Sequence, residues 1–266
     1  MPLENYIEQI QSQRDDREQK LVASPRNWFS LVGLFPLQNG VNPLIGIPGI
    51  EPPDNTFLDL KGEKVHLVDT AGYLQVNGGV AENRPLRTDH DADPDILSAG
   101  NVQMMVLQRG EHFFIRAWDV NSIAAKEFKG LSYYPVDPAW RIEGRYLRYP
   151  NPILIPGEDA IGTKSETATV GEAQFEIKGI SCSLIAAGDD EELLFNFTDL
   201  TAADTTYPGG RYLVTPIPTN DTITLDFNLT SNWPCAYTLY ATCPLPPPQN
   251  RLKARIEAGE KRYHNP

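Results

Sequence analysis

Cysteine, methionine, histidine and tryptophan are all scarce in this chain. Its 266 residues hold three Cys, three Met, four His and four Trp. Three cysteines cannot all pair within one chain, and in a reducing compartment thiols are the expectation. No apolar run approaches the roughly 20 residues of a membrane-spanning helix. The first twenty residues, MPLENYIEQIQSQRDDREQK, are polar and lack the apolar stretch of a signal peptide. A cytoplasmic protein is therefore expected, and the Asn-x-Thr sequons at Asn196, Asn220 and Asn228 are then idle matches. Basic clusters are missing too. Lys and Arg total 23 against 35 Asp and Glu, a net charge of −12. That balance argues against a nucleic-acid phosphate surface and against adsorption to anionic membranes. Absent as well are a Gly-x-Ser-x-Gly elbow, a His-Glu-x-x-His motif, a Walker lysine, a dinucleotide fingerprint and any internal repeat.

What the chain does have is turn chemistry. Twenty glycines and 23 prolines imply many turns and few long helices. One helix is expected, from Glu4 to Val22, ahead of Pro25. Its apolar stripe of Tyr6, Ile7, Ile10 and Leu21 is thin, which places it on the outside with no functional part. Short alternating runs follow. The stretch from Trp28 to Gly46 reads as a hairpin turning at Gln38-Asn39-Gly40. Next come Phe57 to Leu60, Lys64 to Asp69 and Tyr73 to Asn77, with a tight turn at Asn77-Gly78-Gly79. Val102 to Leu107 pairs with His112 to Trp118. His112 opens that strand and reads as hydrogen-bonded scaffolding. Ser122 to Phe128 is a short helical turn. Later strands are expected at Ile153 to Ile155, Lys164 to Val170, Gln174 to Lys178, Ser181 to Ala186 and Leu194 to Phe197, with Gly171-Glu172 as a turn. The pattern predicts a mainly β protein, an antiparallel β-barrel or β-sandwich, with one N-terminal helix and a Pro-rich C-terminal strap. The expected division is a helix over 1–25 and a single β domain over 26–266.

The acidic run Asp89 to Asp95 fails as a calcium loop. Pro94 and Gly100 stand where an EF-hand needs glycine at its sixth position and glutamate at its twelfth, so an exposed acidic turn is expected and no metal site is assigned. The strand from Trp140 puts Arg141, Glu143 and Arg145 on one face. Two arginines there suit bidentate binding of a carboxylate or phosphate; a surface ladder of ion pairs is the plainer alternative.

The stretch from Thr222 to Lys261, TITLDFNLTSNWPCAYTLYATCPLPPPQNRLKARIEAGEK, organises the rest. Ile223, Leu225 and Phe227 alternate with Thr224, Asp226 and Asn228. A hairpin with Arg211 to Thr215, closed through PIPTND, sets Arg211 opposite Asp226 and sends Tyr212 and Val214 to the apolar face. Pro234, Pro244, Pro246, Pro247 and Pro248 then forbid a helix or a central strand. They predict an ordered strap over the sheet, carrying Cys235, Tyr237, Tyr240 and Cys243. Arg251 to Ala258 alternates again and reads as a closing strand. In the loop before Arg211, Gly209-Gly210 permits positive φ or close approach of a ligand.

These residues carry a resemblance. WFSLVGLFPLQNG, KGLSYYPVDPAWR, DTTYPGGRYL and above all the Thr222 to Lys261 stretch resemble a family of uncharacterised prokaryotic proteins, domain of unknown function 1684, from about Trp28 to Lys261. The family's usual Asn-Pro-Pro-Cys-Ala-Tyr is Asn232-Trp233-Pro234-Cys235-Ala236-Tyr237 here, so Trp233 departs from it and is expected to fill space at the strap. The resemblance implies no activity.

The leading reading is a β domain that binds a small anionic metabolite in a polar pocket. Arg141, Arg145 and Arg211 supply charge, Asp226 and Asn228 orient the ligand, and Tyr207, Cys235 and Tyr237 line its wall. One alternative is a hydrolase-like enzyme using the same pocket, with Asp226 as general base or Cys235 as nucleophile. Of the histidines, His66, His90 and His112 lie far from Cys235 along the chain, and His264 stands near the tail. The other alternative is a non-catalytic scaffold whose polar face is an interface. The residues name no cofactor, ligand or oligomeric state.

Overall fold

The computed structural model describes residues 3–82, 84–189 and 191–263. His264 and Asp190, the second residue of the acidic turn before Leu194, lie outside them. Strand makes up 43% of the chain, in antiparallel, sandwich-like sheets with no closed barrel among the described residues, so the mainly β expectation holds on its sandwich side. None of the described helices is long and apolar enough to cross a membrane. Contacts divide the chain into two compact units, residues 21–128 and residues 1–20 with 129–266. The sequence reading set a helix apart from one β domain over 26–266. The contacts instead group the helix with the C-terminal half and make 21–128 a unit of its own.

In residues 21–128 the strands are β1 (Leu31–Pro36), β2 (Gly40–Pro43), β3 (Thr56–Lys61), β4 (Lys64–Asp69), β5 (Gln75–Val76), β6 (Gly79–Val80), β7 (Leu97–Ala99), β8 (Val102–Arg109) and β9 (His112–Asp119). They form a six-stranded sheet, β1-β9-β8-β7-β5-β6, and a three-stranded one, β2-β3-β4. Period-2 alternation decides which face each sheet buries. Leu58 opposes Leu67 and Leu60 opposes Val65, and they pack in one core with Met104, Ile115 and Ala117 of the other sheet. Asn77 and Gly78 both take positive φ, 53° and 77°, as a two-residue primed hairpin turn requires. The expected hairpin at Gln38-Asn39-Gly40 does not form. β1 and β2 enter different sheets. Asn42 instead fastens the corner, exchanging hydrogen bonds with the backbone of Gln38 and donating to the Gly40 carbonyl.

The acidic loop is organised by arginine. Asp95 is buried and accepts from Arg84, from Asn77, and from the side chain and backbone N–H of Arg87. Burial alone would push this carboxyl up, but those hydrogen bonds outweigh it and hold it well below the usual carboxylate range. A depressed folded-state value stabilises above the unfolded value of about 3.9, and that contribution is lost as pH falls through the folded value. Asp95→Asn should therefore be less stable than the parent at neutral pH, with the gap closing below about pH 4. Urea midpoints of both proteins from about pH 7 to about pH 2 check this; a gap independent of pH would show that the charge contributes nothing.

The other unit holds α1 (Leu3–Val22), β10 (Arg141–Glu158), β11 (Lys164–Ile177), β12 (Ile180–Gly188), β13 (Glu192–Phe197), β14 (Arg211–Pro216), β15 (Thr222–Asp226) and β16 (Ser231–Asn232). They form one sheet in the order β15-β10-β11-β12-β13-β14-β16. Strands expected as separate pieces are continuous. β11 continues through Gly171-Glu172, with a register shift against β12 between Thr169 and Gly171, and Gly171 serves close packing rather than a turn: a Cβ there would lie 2.7 Å from the Leu147 carbonyl of β10. Phe175, Leu184, Phe195, Leu213, Leu225 and Phe227 fill the inner face.

Two expectations about the C-terminal half are overturned. β14 and β15 do not pair as a hairpin. β14 lies against β13 with Arg211 opposite Phe197, and β15 lies against β10 with Asp226 opposite Arg141. One bond, from Thr215 Oγ1 to the Thr224 carbonyl at 3.3 Å, links the two strands directly. The faces of β14 are accordingly reversed: Arg211, Leu213 and Thr215 are buried while Tyr212 and Val214 are half-buried. The segment after Arg251 is likewise not a strand. Its alternation is real, since Leu252, Ala254, Ile256 and Ala258 are all buried. It crosses the core as an extended tail, tied to the sheet by backbone bonds such as Leu252 N to the Thr198 carbonyl at 2.8 Å and Leu200 N to the Ala254 carbonyl at 3.0 Å.

Candidate functional site

Helix α1 is where sequence reasoning missed most. Tyr6, Ile10 and Arg14 are its buried residues, one per turn along a single face. Arg17 follows on that face. Counting only apolar residues made the stripe look thin; counting tyrosine and arginine by their aliphatic and aromatic bodies reveals it.

Near its start the helix meets β15. The Tyr6 hydroxyl donates to both Asp226 oxygens at 3.0 and 2.9 Å. Asn228 Nδ2 reaches Tyr6, Asp226 and the Asp137 carbonyl at 2.9–3.1 Å. Burial and the Asp226 carboxylate together push the Tyr6 hydroxyl well above the usual tyrosine range, so it stays a donor. Arg141 lies 3.6 Å from Asp226 with its side chain 52% exposed. One turn on, Arg14 donates to the carbonyls of Asn228 and Tyr134 and stacks over the Tyr133 ring at 4.5 Å. Arg14 is 5% exposed, and none of the described carboxylates lies within salt-bridge distance of it. Burial pulls its ionisation downward.

Further along, Arg17 donates through Nη2 to Glu260, to the Tyr237 hydroxyl and to the Asn232 carbonyl at 2.8–3.0 Å. Arg17 Nε and the Tyr133 hydroxyl are buried without a hydrogen-bond partner. Arg14, Arg17 and Tyr133 line one cavity of about 370 Å³. A second cavity of about 660 Å³ continues past Gln13 to Arg141, Tyr6 and Asp226. Both share Gln13, Val214, Thr215, Pro216 and Leu229, so they form one groove between α1 and the β14–β15 strands.

The residues expected to share one hollow are distributed over several clusters. Arg141, Asp226 and Asn228 do come together, with the unforeseen Tyr6 and Arg14. Arg145 is exposed on β10 opposite Thr222, four residues from Arg141. Arg211 is not Asp226's partner; it lies buried against Asp199. Tyr237 joins Arg17 and Glu260. Tyr207 and Cys235 form a separate cluster with Cys243. Gly210, at φ +93°, permits a close approach of backbone rather than of a ligand: a Cβ there would collide with Pro246 and the Phe197 carbonyl. Trp233 does fill space, its ring 4.5 Å from that of Tyr212 and its Nε1 donating to Asn196. Among the described residues no group of three or more His, Cys, Asp or Glu side chains is placed to hold a metal.

The architecture is thus an antiparallel β-sheet unit with an N-terminal helix docked by buried polar side chains. The chain belongs to the family described as protein of unknown function (DUF1684), whose profile matches residues 126–261. That span begins well after Trp28, where the resemblance was expected to start, and it leaves WFSLVGLFPLQNG outside. Among solved structures the chain is similar to the NMR structure of an uncharacterized protein from gene locus rrnAC0354 of Haloarcula marismortui, at 32% identity over 52% of this chain and 79% of that one, with a TM-score of 0.44. A search of curated proteins finds no match.

Proposed function

We propose that the unit formed by residues 1–20 and 129–266 binds a small anionic metabolite in the groove along α1. A single observation carries this reading. Arg14 is a buried cation whose acceptors are only backbone carbonyls. It lines a cavity together with Arg17 and Tyr133, side chains that also carry two buried polar atoms without partners, Arg17 Nε and the Tyr133 hydroxyl. Buried charges are normally paired, and unmet donors cost free energy. A carboxylate or phosphate in that cavity would supply the missing charge beside Arg14. Guanidinium groups suit such anions because their donors match paired oxygens. The scaffold and hydrolase-like readings have no comparable observation behind them; both oxygens of Asp226, the expected base, are already engaged by Tyr6.

The test is calorimetric titration and thermal shift of the full chain with a panel of mono- and dicarboxylates and phosphate monoesters. At least one should bind saturably, and Arg14→Gln should weaken it about tenfold or more, a loss of about 1.4 kcal/mol. Gln13→Ala, a milder change in the shared wall, guards against a misfolded Arg14 variant and should also weaken binding. Failure of every anion to saturate, or equal affinity in both variants, would sink the reading.

A further inference from the structure

The strap carries a pair of cysteines that the groove does not use. The Cys235 backbone N–H donates to the Cys243 sulfur at 3.2 Å. The Cys235 side chain also has Cys243 and Tyr207 as its electrostatic neighbours. Cys235 is half-buried, whereas Cys243 is buried. The structure holds both as thiols. The residues between them contain only the end of a short 3₁₀ turn, Pro234–Ala236, and no strand. Leu239 and Tyr240 in that segment are exposed. Shifts that bring the sulfurs to a bonding distance of about 2 Å fall on the 235–243 segment, which is outside the sheet ladders. The third cysteine, Cys182, sits on β12 against its own strand's Ile180 carbonyl.

We propose that Cys235 and Cys243 are a thiol–disulfide pair, with Cys235 the attacking residue and Cys243 the resolving one. Cys243 and Tyr207 favour the Cys235 thiolate, against its partial burial. Burial, the largest cause, and the sulfur beside it push the Tyr207 hydroxyl upward, so Tyr207 remains the donor. The oxidant is a small-molecule disulfide, here glutathione disulfide. The Cys235 thiolate attacks one sulfur, the S–S bond breaks, and one glutathione thiolate leaves. Cys243 gives its proton to solvent, attacks the Cys235 sulfur of the mixed disulfide, and displaces the second glutathione thiolate. Two protein thiols lose two electrons and two protons, and one disulfide becomes two thiols.

The test equilibrates the full chain across reduced and oxidised glutathione ratios, followed by acid quench, alkylation and mass spectrometry. Two alkylation sites should vanish together at one midpoint, leaving a Cys235–Cys243 cross-linked peptide. Cys182→Ser should behave like the parent. Cys243→Ser should halt at glutathionylated Cys235, and Cys243→Ala, the apolar variant, should do the same if serine disturbs the fold. The oxidised parent should also melt at a higher temperature than the reduced one. The proposal is overturned if both cysteines stay alkylatable in the most oxidising buffer, or if each takes up glutathione independently without ring closure.

Discussion

Arg211→Met should lower the stability of the residue 129–266 unit by about 3–5 kcal/mol. Arg211 is 1% exposed. Its guanidinium donates through Nη1 to the carbonyls of Ala258 and Glu260 at 2.6 and 3.2 Å, and through Nη2 to the Ile256 carbonyl at 3.0 Å and to Asp199 at 3.3 Å. Ile256 and Ala258 share one side of the chain, and the positive φ of Gly259 brings the Glu260 carbonyl to the same guanidinium. One side chain thus collects three successive acceptors of a tail that lacks a ladder of its own. Burial pulls the ionisation of Arg211 downward, and Asp199 offsets part of that. Methionine fills much of the volume but leaves three carbonyls without this donor and the Asp199 carboxylate without its cation. Asp199 also accepts from Ile256 N at 2.6 Å and from Thr201 Oγ1, so it cannot move away to water. Adding Asp199→Asn should recover part of the loss, because the stranded charge goes while the orphaned carbonyls remain. Urea unfolding measures the free energy, and hydrogen exchange of the 252–261 peptides should show protection lost there first. A cost under about 1 kcal/mol, with unchanged exchange, would mean that the tail is held without help from Arg211.

This cluster also shows what was legible in the sequence. Alternation at Leu252, Ala254, Ile256 and Ala258 correctly marked buried positions, because period 2 reports which side of an extended chain is dry. It could not report whether the chain ladders with a neighbour, and here scattered backbone bonds and the Arg211 guanidinium take the ladder's place. The β14–β15 register failed for a related reason. Two adjacent alternating runs look like a hairpin, but β15 found its partner in β10, far away in sequence. Arg141 and Asp226 thereby became neighbours, and Arg211 turned inward to Asp199. Nothing local to either strand encodes that choice. Helix α1 was legible as a helix and illegible as part of the site, since its buried face is built from Tyr6, Arg14 and Arg17. Each of these docks on acceptors more than a hundred residues away. Family membership was readable because the stretch from Thr222 to Lys261 is long and specific; no chemistry follows from it.

Glu260→Gln, the smallest change available in shape, should be nearly as costly as losing Arg211, at about 3–5 kcal/mol. Glu260 is 0% exposed. Gly259, at φ +73°, lets it enter: a Cβ there would lie 2.6 Å from the Thr230 carbonyl and 2.8 Å from that of Phe227. Each carboxylate oxygen then accepts two bonds. Oε1 takes the Tyr237 hydroxyl at 2.5 Å and Asn232 Nδ2 at 2.8 Å. Oε2 takes Asn232 N at 2.9 Å and Arg17 Nη2 at 3.0 Å. Every group facing the carboxylate donates to it, so a glutamine amide sets its NH₂ against the Asn232 and Arg17 donors in one orientation, and in the other against Asn232 Nδ2 and a Tyr237 hydroxyl that must give up its own donation. The Arg17 guanidinium, four-fifths buried by side chain, simultaneously loses its ion-pair partner. The only relief available is for α1 to pull Arg17 out, which would uncover the groove. The variant should therefore show faster proteolysis and exchange within residues 3–22 as well as a lower unfolding free energy. Arg17→Leu removes the cation from the other side of the same cluster. It should destabilise the unit too, yet adding Glu260→Gln to it should cost less than Glu260→Gln alone, since the charge is no longer demanded. Additive losses in this cycle, or a Glu260→Gln protein as stable as the parent, would show that the helix is held independently of this carboxylate.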